Sequence, residues 1–93
     1  MQIPDKIKVG GFTYTVEITD NLETGSESIG EISYKKLAIR LRPLVKGRME
    51  QSLVHEIVHA VFDNLGKQGQ DEEEVDRLAG AFYALIVDNP EMW

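Results

Sequence analysis

The chain has 93 residues, of which 42% are hydrophobic and 28% charged. That bounds it to one globular domain, 1–93, with a thin core. It has no cysteine, which excludes disulfides and thiolate metal sites and fits a cytoplasmic setting. A net charge of −6 argues against a nucleic-acid partner, which calls for a basic surplus. No run approaches the roughly 20 apolar residues of a membrane span, and Met1 to Asp5 lacks an apolar signal core.

In chain order, Lys6-Ile7-Lys8-Val9 alternates apolar and polar residues, Gly10-Gly11 is a turn pair, and Phe12 to Ile18 alternates again. Together they predict a hairpin. Asp20 to Ser28 is polar, with Asn, Gly and Ser, and predicts a loop. Ile29 to Tyr34 and Leu37 to Leu41 predict a second strand pair, ended by Pro43. A helix follows, from about Val45–Arg48 to Leu65, because Leu53, Ile57, Ala60, Val61 and Leu65 recur at helical spacing. Gly66 is its stop signal. After the short connection Lys67 to Gln70, Asp71 is an N-cap, and Glu72, Glu73 and Glu74 suit the positive end of a second helix. That helix runs to about Val87, and Asn89-Pro90 ends it. Strands followed by helices predict an α+β fold: a small antiparallel sheet of three to four strands and two packed helices. Phe12, Tyr14, Phe62 and Phe82 read as core residues, and Trp93 as a terminal residue that frays or tucks over the core.

Within the first helix His55-Glu56-Ile57-Val58-His59 has the pattern H-E-x-x-H. Residues four apart stack on one helix face, so two imidazoles can reach one tetrahedral zinc ion. Glu56, offset by one position, can reach a water on the metal without ligating it. As a general base it would take the proton while the water attacks a carbonyl. Random placement would put the only two histidines at this spacing about one time in fifty, and a glutamate after the first about one time in ten. Chance is therefore a poor explanation. Both histidines border the arc of Val54, Val58 and Phe62, facing a packed neighbour.

Catalytic zinc needs a third protein ligand and one open position. With no other histidine and no cysteine, the ligand must be a carboxylate of the second helix. Asp76 projects with Ala79, Gly80 and Tyr83, and Glu72 projects the same way one turn earlier. Glu73 and Glu74 point outward with Arg77. An antiparallel partner returning along the first helix brings Asp76 nearer to the level of the metal, which favours Asp76. Glu72 is the alternative, and Asp76 would then hold a ligating histidine.

These residues resemble a minimal gluzincin-type zincin metallopeptidase, similar to the small zinc peptidases of phage and prophage elements and to ImmA/IrrE-type peptidase domains. The likeness covers roughly 29–90. It is carried by Gly30-Glu31-Ile32, Leu37 to Leu41, Leu53 to His59, and Asp76 to Phe82. It implies a zincin-like fold, a zinc cofactor and a peptide or protein substrate. The family's carboxylate three residues before an alanine falls on Asp76 before Ala79. Glutamate is usual there, and the asparagine often found after the alanine is Gly80 here. The resemblance also implies that Leu37 to Leu41 lines the cleft and pairs with extended substrate.

Tyr83, on the face of Asp76, is placed to hydrogen-bond a developing oxyanion, or simply to pack. Arg40 and Arg42 either neutralise a substrate carboxylate or act as solvated edge charges. The competing function is a non-catalytic binding or regulatory module whose metal is structural or absent. So short a chain leaves open a partner chain or a homo-oligomer to complete the cleft.

Overall fold

The computed structural model describes residues 2–25, 27–67 and 69–92; Trp93 lies outside them. Four strands, β1 (Lys6–Val9), β2 (Phe12–Ile18), β3 (Gly30–Ser33) and β4 (Ala38–Leu41), precede two helices, α1 (Lys46–Asn64) and α2 (Glu72–Asp88). A short 3-10 turn at Pro90–Met92 follows. The fold is α+β, with element boundaries within one or two residues of those expected. No helix among the described residues is long and apolar enough to cross a membrane.

Gly10 and Gly11 both have positive φ, 59° and 86°. This is the backbone a two-residue hairpin turn requires and glycine adopts without steric cost. It sets β1 antiparallel to β2, with Val9 opposite Phe12. β3 and β4 also pair antiparallel, with Ile32 opposite Ile39.

The sheet order is β1-β2-β4-β3, and β2 runs parallel to β4, with Val16 beside Ile39. The expectation of a purely antiparallel sheet is therefore corrected: the sheet is mixed. Turn residues report only hairpin neighbours. The long 19–37 excursion lets β4 insert between β2 and β3, as a parallel pairing with its crossover needs. A second correction follows. β4 pairs on both sides, so it offers no free edge to a substrate, and the edge beside α1 belongs to β3.

Arg40 and Arg42 turn inward to organise this excursion. The Arg42 guanidinium donates to the carbonyls of Ser28 (2.7 Å), Gly25 (3.0 Å) and Asp20 (3.3 Å). Arg40 lies 3.7–3.8 Å from the carboxylates of Glu17, Glu23 and Glu31. Both guanidiniums are thus engaged within the protein, and neither lines the cleft described below.

Helix α1 is buried on two sides. Leu53 and Ala60 pack with Tyr14, Ile39 and Leu41 of the sheet. Val54 and Val58 pack with Val75 and Ala79 of α2. Among the described residues no layer covers the outside of α2, so Phe82 is left 48% exposed, and Phe12 at the hairpin turn is 55% exposed. Both depart from their expected place in the core, whereas Tyr14 is buried there.

Candidate metal centre

His55 and His59 sit one turn apart on α1 with ring centroids 4.9 Å apart and planes inclined by 69°. The hydrophobic packing of Val54 and Val58 against Val75 and Ala79 turns this face toward the start of α2. There Asp71 caps the helix, accepting from the amide of Glu73 at 3.0 Å. Glu72, the first helical residue, points its carboxylate at both rings: Oε1 lies 2.6 Å from His55 Nε2 and Oε2 lies 3.2 Å from His59 Nε2.

The opposite nitrogens are held as well. Asp76 Oδ1 lies 2.9 Å from His55 Nδ1, and Gln70 Oε1 lies 2.6 Å from His59 Nδ1. Gln70 Nε2 in turn donates to the Tyr34 hydroxyl (3.2 Å) and to the His59 carbonyl (3.3 Å). The Tyr34 hydroxyl also donates to that carbonyl, at 3.4 Å. Each ring thus has its Nε2 turned to a shared point and its Nδ1 anchored. Metal-binding histidines are commonly arranged this way, because the anchored N–H fixes both tautomer and ring orientation.

One atom each from His55, His59 and Glu72 lie within 4.8 Å of one another, so the three could hold a metal ion. Zinc bonds of about 2.0–2.1 Å in a tetrahedron place ligand atoms about 3.3 Å apart. The His59–Glu72 separation already fits. The His55–Glu72 pair, now at hydrogen-bond distance, would open by less than ~1 Å. Two imidazoles and a carboxylate form a donor set of the kind that holds a divalent transition metal.

The carboxylate in this cluster is that of Glu72, the alternative, rather than the favoured Asp76. The reason lies in the connection between the helices. It doubles back along α1 before α2 begins, so that Gln70 already touches His59. Glu72 is therefore level with the histidines, and Asp76 falls on the far side of the His55 ring.

Glu56 is 5% exposed. Burial pushes its carboxyl up from 4.5 to about 7, against the opposing charge of His55 and His59. It lies at the base of a cleft of about 430 Å³. One wall is Glu27 to Gly30, and the other is Glu72, Asp76, Ala79 and Gly80. Gly30 is required by close approach: a Cβ there would lie 2.4 Å from Ser52 Oγ and 3.2 Å from Glu56 Oε2. The missing side chain lets β3 close over the helix.

Tyr83 is not among the groups brought to the cleft; its hydroxyl donates to Glu50 Oε1 at 3.2 Å. The tyrosine beside the histidines is Tyr34, from the β3–β4 turn. Neither Tyr34 nor Gln70 was expected. Gln70 carries no motif, and its one sequence cue is an amide just before the N-cap of a helix whose acidic start faces the histidines. No family model, curated protein or solved structure matches this chain.

Proposed function

We propose that this protein is a small zinc-dependent hydrolase, acting as a peptidase of zincin type, with His55, His59 and Glu72 holding the metal and Glu56 as general base. The observation that carries the reading is the pairing of both histidines: each Nε2 faces Glu72, while Asp76 and Gln70 hold the other nitrogens. When bound, zinc would polarise the scissile carbonyl and make water a better acid, with a pKa of about 7. Glu56 would take the proton of the attacking water and pass it to the leaving amine. Its burial supports this, because a base poised near neutrality transfers protons best at working pH. β3 is the edge strand of the sheet and reaches the cleft at Gly30, so an extended peptide could add there as a further strand.

The test is metal content together with turnover. Wild type and Glu56→Gln should each retain about one zinc per chain. Glu56→Gln should lose about 10²- to 10⁴-fold in peptide cleavage. Equal turnover in both forms across broad peptide libraries, or failure of the wild type to bind zinc, would overturn the reading.

A second reading has its own support. Helix α2 buries only Val75 and Ala79, so a metal joining His55 and His59 of α1 to Glu72 of α2 would fasten the second helix. In a binding module with a structural metal, chelation would release α2 and peptide cleavage would be absent throughout.

A further inference from the structure

The cleft does not end at the histidines. Along α1 its floor continues through Ser52 and Gln51 to Arg48. Arg48 lies seven residues before His55, two helical turns on the same face, or about 10.5 Å along the axis. Its side chain is exposed. The other three arginines are engaged: Arg40 and Arg42 with the 19–31 segment and Arg77 with Glu73. Among the described residues, no carboxylate forms a salt bridge with Arg48.

None of the acids lining the cleft is paired with this charge. Glu72 and Asp76 face the imidazoles, Glu56 is buried at the base, and Glu27 lines the wall that leads into β3. Arg48 is the cationic side chain of the cleft, set at the end away from the metal group.

We propose that Arg48 is a specificity-determining residue that recognises a carboxylate on the bound peptide. An extended peptide advances about 3.3 Å per residue, so for a peptide lying along α1 that carboxylate belongs about three residues from the bond at the histidines. It can come from an acidic side chain or from the peptide's C-terminus. This rests on the peptidase reading above, and its test separates the two.

The probes are capped alanine- and glycine-based peptides with a single Glu walked along the chain, matched Gln and Lys series, and the neutral parent with a free C-terminal carboxyl. Binding is measured to the zinc-loaded Glu56→Gln protein, and cleavage separately with wild type. We expect one Glu position to bind about five- to tenfold tighter than its Gln match. That gap should shrink in about 0.5 M salt. Arg48→Gln should erase the gap, and Arg48→Glu should turn it in favour of Lys. A gain confined to the free-acid parent would assign the carboxylate to the C-terminus. No gap at any position, a gap that survives Arg48→Gln, or no peptide binding would overturn the proposal. An Arg48-dependent gap in a protein whose wild type cleaves none of the peptides would uphold the carboxylate site and remove the peptidase reading.

Discussion

Helix α1 has two faces of opposite character. Toward the sheet it meets Tyr14, Ile39 and Leu41 through Leu53 and Ala60, all of them buried. Toward the start of α2 it meets Glu72, Asp76 and Gln70 through His55 and His59. The first contact is apolar and nondirectional, so its contribution scales with the surface removed from water. The second is polar and directional, and each contact constrains the orientation of one ring. The apolar face fixes the helix against the sheet, and the polar face fixes the orientation of the two imidazoles on it.

The largest effect that could break this division comes from the sheet side. Leu53 is fully buried, at 0% exposure. Leu53→Ala should cost about 2–5 kcal/mol in denaturant unfolding, while the folded fraction keeps its zinc affinity. A comparable loss of metal affinity would show that the two faces are not separable.

Glu56 belongs to both faces, and the next prediction exploits that. Its pKa is raised from 4.5 in the unfolded chain to about 7 in the folded one, so over that interval the folded state holds a proton the unfolded state has released. Stability due to this group is therefore full below about pH 4.5, falls as pH rises toward 7, and is flat above. In the chelator-treated protein Glu56→Gln should be more stable than wild type by up to about 3 kcal/mol at pH 8. The advantage should close as pH falls toward 4.5. Parallel pH profiles of the two proteins would show instead that the carboxylate remains well solvated.

The smallest effect lies on the polar face. Gln70→Leu removes the acceptor of His59 Nδ1 and should weaken zinc binding about 10- to 100-fold. Unfolding of the metal-free protein should change much less. Tyr34→Phe removes one hydrogen bond from the same network and should weaken zinc binding by less than Gln70→Leu. Unchanged affinity in Gln70→Leu would mean that packing alone orients His59.

Much of this arrangement was legible in local sequence. Gly10-Gly11, the periodicity of α1 and the Asp71 cap are short-range devices, and His55, Glu56 and His59 share a face because an α-helix repeats every 3.6 residues. The sheet order was not legible, because β4 chooses β2 as a neighbour across a long excursion. The choice between Glu72 and Asp76 was not legible either. Both lie on the same side of α2, and helical phase cannot tell how far the connection doubles back before that helix begins.

The amino-acid order by itself determined the strands, the helices, their ends and the pairing of two imidazoles, since each depends on contacts within a few residues. Tertiary structure alone decided that the sheet is mixed, that β3 rather than β4 borders the cleft, and that Glu72, Gln70 and Tyr34 meet the histidines. Those outcomes depend on where separate elements come to rest against one another. That is governed by the sum of many nondirectional apolar contacts, to which no single residue supplies a local signal.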